Sequence, residues 1–307
     1  MKVFKMQRNR LVFIIATSVV ACGLLFLFIN KMPMGPNNSS AANLLKEVEE
    51  NAPFSIANTP YEGKNLSTYV VKLTDNLVIH GFDLGAMQSL HGEVFAGDVY
   101  RFTADNNTPL ILDCGSNIGF SVLYFKSIYP QAIIYAFEPD LVTFKLLRAN
   151  IKTNNLTDTY AFNVALDEKK GKMAFHIDKD KPGNPGMSLY MKSNTSVEVN
   201  VEPLSEYIKQ IDKLHKRKID LLKIDVEGSE HGILNDLVAS KTLHLVNEMI
   251  IEYHHHMGNT DDKLGGFLKI LEDHGFGYQV ATYDQRSFTS RGGGQSFMLH
   301  AYRKNSN

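Results

Sequence analysis

The sequence predicts an α/β fold, doubly wound around a mostly parallel sheet with an antiparallel C-terminal edge, behind one N-terminal membrane-spanning helix. Three observations predict it. Residues 109–140 read as strand, glycine turn, helix, strand and acid. Residues 219–230 read as a second buried strand that ends in carboxylates and a glycine. Residues 11–29 carry no charge and are long enough to cross a bilayer, which takes about 20 apolar residues.

The N-terminal part has its own logic. Lys2, Lys5, Arg8 and Arg10 precede the apolar stretch, and only Lys31 follows closely. By the positive-inside rule, residues 1–10 form a cytosolic tail and residues 11–29 a signal anchor. The rest of the chain then faces a lumen, such as that of the ER or Golgi, or the exterior. A cleaved signal peptide would end in a small-x-small site, which Asn30-Lys31-Met32-Pro33 does not supply. Residues 30–65 form a stem, broken by Pro33, Pro36, Pro53 and Pro60. Glycosylation sequons at Asn37, Asn38, Asn65, Asn106, Asn155 and Asn194 fit a lumenal setting.

Residues 66–108 are expected to cap the main domain, which runs over residues 109–307. The cap offers a hairpin-like pair of short strands around Asp75 and Asn76. Met87, Leu90, Val94 and Phe95 then follow at helical spacing. In the main domain, Leu110, Ile111 and Leu112 form the first buried strand and Ile133 to Phe137 the second. Leu141, Phe144, Leu147 and Ile151 mark one face of an amphipathic helix. A third strand is expected over residues 160–165. Two strands around the Pro/Gly-rich loop 181–187, a short helix over 203–211 and the strand beginning at Ile219 follow. A helix with Ile233, Leu234 and Leu237 turned inward comes next. Then come a strand over 248–253, a helix with Leu264, Phe267, Leu268 and Leu271, and two closing strands. Gly275 and Gly277 are expected to end that last helix. Alternating strands and helices give the parallel sheet, and the final two strands its antiparallel edge.

Composition excludes some functions. Thirty-two basic against 33 acidic residues leave a net charge of −1, so nothing suggests a nucleic-acid surface. The two cysteines, Cys22 in the apolar stretch and Cys114 in the core, are not placed to pair.

The chemistry sits at strand ends, where doubly wound sheets hold their ligands. Asp113, Glu138, Asp225 and Glu252 all end strands. A dinucleotide turn reads G-x-G-x-x-G and seats a pyrophosphate. Here the turn reads Asp113-x-Gly115-x-Asn117-x-Gly119. Asp113 would repel a pyrophosphate and welcome a cationic group, such as the ammonium and sulfonium of S-adenosylmethionine (SAM). Glu138, at the tip of the second strand, is placed to take two ribose hydroxyls. The D-x-G-x-N-x-G turn followed by Ala136-Phe137-Glu138-Pro139 resembles the FkbM-type family of SAM-dependent methyltransferases, as does residues 219–230, IDLLKIDVEGSE. The resemblance implies a Rossmann-like class I methyltransferase fold with SAM as cofactor, bound by Asp113, Gly115, Asn117, Gly119 and Glu138. It also implies adenine contact near Asn163 and Ala165. It further implies O-methylation of a small molecule or sugar; with the topology, the acceptor is a hydroxyl or carboxyl of a glycan, a lipid-linked sugar or a small molecule.

Asp225, Glu227 and His254 are the catalytic candidates, with His254 as a general base oriented by a carboxylate. Asp225 and Glu227 alternate onto one side of a strand end, and Glu252 and His254 onto one side of the next. Carboxylates with an imidazole also suit Mg, Mn or Zn, but their spacing is not diagnostic and no metal is assigned. Lys223 is expected to pair with Asp220 or Glu227. Two other functions stay open: a catalytically silent, membrane-anchored binding domain on the same fold, and an NAD-dependent oxidoreductase. The latter is disfavoured by Asp113, the missing glycine and the absence of any Tyr-x-x-x-Lys.

Overall fold

The computed structural model describes residues 61, 68–190, 193–255, 263–281 and 295–304. The expected anchor at residues 11–29 and most of the stem lie outside them. Among the described residues no helix is long and apolar enough to cross a membrane.

The main sheet is built from segments whose side chains are apolar on both faces. β3 (Leu110–Cys114) is buried along its whole length, and β9 (Ile219–Ile224) at every position but Asp220. Such runs suit the centre of a parallel sheet covered on both sides. Among the described residues, seven strands join in the order β11-β12-β10-β9-β3-β4-β5. β4 (Ile133–Phe137), β5 (Thr159–Phe162) and β10 (Val246–His255) run parallel to β3 and β9. β12 (Gln295–Arg303) runs antiparallel to β10 and to β11 (Phe276–Ala281), giving the expected antiparallel edge.

The helices pack through apolar stripes. α2 (Phe120–Ile128) follows β3, and α3 (Leu141–Thr153) follows β4. Asp140 caps α3 by accepting from Thr143 N at 2.9 Å. α4 (Leu204–His215) runs four residues past the expected end and stops at Lys216, which is left-handed. α5 (Glu230–Ala239) buries Ile233, Leu234 and Leu237 as expected, and α6 (Leu264–Asp273) buries Phe267 and Leu271.

Several local expectations need correction. The buried face of α3 is carried by Val142, Thr143, Leu146, Leu147 and Asn150, while Leu141 is exposed. Asn150 belongs to that face because the hairpin of the cap bonds to it. β1 (Tyr69–Lys72) and β2 (Val78–Gly81) pair antiparallel. Asn150 and Asn154 bond to the free backbone edge of β2 like a substitute strand: His80 N donates to Asn150 Oδ1 at 2.8 Å and Val78 N to Asn154 Oδ1 at 2.9 Å.

The expected third strand is two strands in two sheets. β5 ends at Phe162, and β6 (Ala165–Leu166) joins a separate sheet with β7 (Gly171–His176) and β8 (Ser196–Glu202). Gly275 turns with φ +79 just past α6, but Gly277 lies inside β11 against the Tyr302 ring. Between β2 and β3, α1 (Leu84–His91) continues into a wider π turn, Gly92–Ala96. That turn carries Glu93 and Val94 toward the carboxyl ends of the sheet strands, where they help to line a cavity.

Candidate active site

The carboxyl ends of β3, β4, β9 and β10 open into one cavity, with about 1050 Å³ of empty space including its mouth. One end is the glycine turn. Gly115 adopts φ +81, Asn117 φ +49 and Gly119 φ +102, all in the left-handed region. A Cβ on Gly115 would lie 1.7 Å from the Asp225 carbonyl oxygen, so only glycine lets β3 and β9 run this close. Gly115 N and Ser116 N both donate to Phe137 O, at 3.0 and 2.9 Å, locking the turn onto β4.

Glu138 closes that end. Its Oε2 accepts from Asn117 N at 3.0 Å and its Oε1 from Asp140 N at 2.9 Å. Burial, reinforced by the charge of Asp140, pushes its pKa up to about 8 against those two hydrogen bonds. A carboxylate has about four acceptor positions. Two remain after these bonds, on a side chain that lines the cavity. Phe137, Pro139, Val164, Ala165 and Leu166 add an apolar wall beside it. A nucleoside with a cis-diol fits this end: hydroxyls for Glu138, an apolar slot for a flat base. Of the residues expected to hold the cofactor, Gly115, Asn117, Glu138 and Ala165 line this cavity. Asn163 does not line this cavity; it braces the turn, donating to the carbonyls of Glu138 and Pro139 at 3.0 and 2.8 Å.

Two expected cofactor contacts do not line the cavity. Asp113 is fully buried, directly opposite Lys223 in the β3/β9 register. Its Oδ1 lies 3.2 Å from Lys223 Nζ as an ion pair, without hydrogen-bond alignment, and its Oδ2 accepts from Ser121 Oγ at 2.6 Å. Its partners are thus Lys223 and Ser121, inside the protein. Gly119 caps α2 and makes room for Leu147, whose Cδ1 would be 2.9 Å from a Cβ there.

Lys223 joins the two ends. Nζ donates to Gly115 O at 2.8 Å and lies 3.5 Å from Asp225 Oδ2, so its partners are Asp113 and Asp225, not Asp220 or Glu227. Burial works to lower its pKa, but those two carboxylates hold it well above the usual lysine range. The Tyr100 ring lies 5.3 Å from Nζ, and its hydroxyl donates to Asp225 Oδ2 at 3.2 Å.

The other end of the cavity is acidic. Asp225, Glu227, Glu252 and Glu93 line it. β9 stops at Ile224, and Glu227 sits in a left-handed turn with φ +56. Asp225 and Glu227 thus converge through that turn and not by strand alternation. His254 is 7 % exposed on its side chain and does not line the cavity. Its Nδ1 bonds Glu230 Oε1 at 2.8 Å; Nε2 faces Glu227 Oε2 at 3.3 Å and Glu252 Oε1 at 3.7 Å. Burial works to lower the imidazole, but the Glu230 bond and the Glu227 charge raise its pKa to about 10. Both ring nitrogens therefore face carboxylates, which favour the protonated imidazole over a free base. Burial raises Glu252 and Glu227 above the usual carboxylate range.

Sequence reasoning missed Glu93 and Tyr100. Both lie in the cap, where no motif marked them; one signal was an acid within an apolar helical run, at Glu93.

Comparison with known proteins agrees with this geometry. The family model described as the Methyltransferase FkbM domain matches residues 113–278, more than half of the 307-residue chain. Methyltransferase 1 of Beauveria bassiana (strain ARSEF 2860) is 27 % identical over 239 residues, covering 70 % of this chain and 91 % of that protein. Methyltransferase sdnD of Sordaria araneosa is 28 % identical over 252 residues, covering 73 % and 91 %. The 31-O-demethyl-FK506 methyltransferase FkbM of Streptomyces tacrolimicus is 26 % identical over 237 residues, covering 67 % and 88 %.

Proposed function

This chain belongs to the FkbM methyltransferase domain family, with SAM as its cofactor, and we propose that it methylates an oxygen of its acceptor, a hydroxyl in the first instance. The observation that carries this reading is one cavity with two chemically distinct ends: the glycine turn with Glu138, and the cluster of Asp225, Glu227 and Glu252. The FkbM relative from Streptomyces tacrolimicus supports it, since its name specifies an O-demethyl substrate.

Gly115, Asn117, Glu138 and Ala165 would hold the cofactor. When bound, SAM supplies a methyl carbon whose bond to a positively charged sulfur breaks with the electron pair left on sulfur. Glu252 takes the proton from the acceptor hydroxyl. Burial favours its protonated form, and its pKa near the working range suits a group that must accept and then release a proton. Asp225, Glu227 and His254 hold Glu252 and the acceptor in register. Leu90, Asn184 and Pro185 border both this cavity and a neighbouring one under the cap, giving the body of the acceptor a place to lie.

The test is transfer from SAM labelled in its methyl group, by the full-length chain, to glycans, lipid-linked sugars and small hydroxylated molecules. Expected are release of S-adenosylhomocysteine and an ether-linked methyl identified by NMR. A methyl group found on nitrogen or carbon would sink the O-methylation reading. Glu252→Gln should lower kcat by about 10²–10⁴ and leave the Kd for SAM unchanged.

The remaining part of the proposal concerns place. The apolar stretch at residues 11–29 with its basic flank is an anchor, and the domain faces a lumen or the exterior. Protection of the domain from protease in sealed vesicles would support this, and release of the chain by alkaline carbonate would refute it.

A further inference from the structure

We propose that Asp225, Glu227 and His254 form a divalent-cation site at the acceptor end of the cavity. One ligand atom from each of the three lies within 4.8 Å of the other two, close enough for a single ion to touch all of them. The set is two carboxylates and one imidazole nitrogen, drawn from the turn after β9 and from β10.

The imidazole is held as a metal ligand needs to be held. Its Nδ1 is fixed by Glu230, whose side chain is 2 % exposed and also accepts from Gly228 N at 3.0 Å. That leaves Nε2 turned toward Glu227 and Glu252, whose own side chains line the cavity, so an ion between them would take the place of the Nε2 proton. An outer carboxylate that fixes one ring nitrogen so that the other can bind metal is the usual second layer of such sites.

Charge points the same way. Glu93, Asp225, Glu227 and Glu252 line the acidic end of the cavity, Glu138 lines the other end, and Lys223 is the Lys or Arg among the lining residues. Lys223 is already shared between Asp113 and Asp225. A divalent ion would offset the remaining negative charge.

An independent observation comes from Ser229. This residue is 1 % exposed and lines the same cavity, and its Oγ has no hydrogen-bond partner. A buried hydroxyl left unpaired is costly, and on a residue that borders the cavity it leaves a donor that a ligand or its water would satisfy. It sits two residues after Glu227, at the start of α5.

Carboxylate oxygens with one imidazole suit Mn²⁺ among the common divalent ions. Three protein ligands leave coordination positions open toward the cavity. Resting on the O-methylation reading, those positions would take the acceptor's reacting oxygen and a neighbouring oxygen. The acceptor class is then a vicinal diol or a hydroxyl beside a carbonyl.

The experiment is titration of the full-length chain with MnCl₂ in the absence of SAM, followed by the electron paramagnetic resonance signal of free Mn²⁺. SAM binding is measured in parallel by calorimetry. Expected is one bound Mn²⁺ per chain, weakened about tenfold or more by Asp225→Asn, by Glu227→Gln and, through His254, by Glu230→Gln. Asp75→Asn, at an exposed hairpin position, should bind as the wild type does. No saturable Mn²⁺ binding by a chain that still binds SAM overturns the proposal, as does binding unchanged in both ligand variants. Mn²⁺ binding with the expected pattern in a chain that fails to bind SAM upholds the cation site and overturns the methyl-transfer reading instead.

Discussion

The glycine-turn end and the acidic end of the cavity are built from the same elements, strand ends and turns, yet they reach opposite states. At the glycine turn the polar groups answer one another. Glu138 accepts from two backbone amides, Asp113 is answered by Lys223 and Ser121, and Phe137 O takes both Gly115 N and Ser116 N. At the acidic end, carboxylates face carboxylates around one imidazolium, and Ser229 Oγ has no partner. The difference teaches how the work is divided. The first end is set by folding and presents a finished surface. The second carries unbalanced charge that a proton, a cation or an acceptor must satisfy.

The comparison breaks most sharply at Gly115. Gly115→Ala should destabilise the protein by more than about 4 kcal/mol or prevent folding, because its Cβ would overlap the Asp225 carbonyl at φ +81. Thermal denaturation reads this directly, and a variant of wild-type stability would refute the close approach.

Next in size is Lys223, which belongs to both ends. Lys223→Met leaves Asp113 buried and unpaired, a loss of about 3–5 kcal/mol in urea denaturation. Adding Asp113→Asn should recover part of that loss. A double variant no better than the single would mean that the pair is not what holds the strands together.

Glu138→Gln is a milder change at the finished end. It keeps the side chain's shape but replaces one acceptor oxygen with a donor, facing the backbone amides or the cavity. The Kd for SAM should rise about 10- to 100-fold, equivalent to about 1–3 kcal/mol, as measured by calorimetry.

The smallest expected effects sharpen the comparison by pH. The Glu138 pKa, near 8, lies above the ordinary value of 4.5, so the folded state holds this proton more tightly than the unfolded chain does. Stability should therefore fall as pH rises from 4.5 through 8, and Glu138→Gln should make that fall shallower, with Glu227 and Glu252 supplying the rest. The His254 pKa, near 10, lies above the ordinary 6.5, so its contribution is complete below 6.5 and lost as pH rises through 10. In EDTA, the Tm of the wild type should drop by several degrees over that higher window, and that of His254→Gln by less. A flat profile in the wild type would mean that the imidazolium is not held by its carboxylates.

Much of this was legible in the chain. The runs at Leu110 and Ile219 are mostly apolar on both faces, which forces them into the middle of a covered sheet. A glycine turn after the first of them, and an acid after its neighbour, mark the nucleotide end. The acids Asp225, Glu227 and Glu252 were legible as a group because parallel strands end together. The roles inside the group were not. His254 reads as a base by residue type, and becomes a cation only because Glu227 and Glu230 close on both of its nitrogens. Asp113 reads as a ligand-binding acid until Lys223, 110 residues later, is found opposite it. Leu141 reads as core by period, yet it stands exposed at the first position of α3 while Asn150 is buried under the β1–β2 hairpin.

The sequence by itself therefore determined the elements, their order, the turn that only glycine can make and the set of strand-end acids. Those follow from local sterics and from the burial of apolar runs, which act over a few residues. Tertiary structure alone decided which charges meet, which side chains face the cavity and which strand leaves the sheet at Phe162. Those depend on strand order and register, which bring together residues a hundred positions apart, and on the low dielectric of the interior, where a single partner decides whether a group is charged.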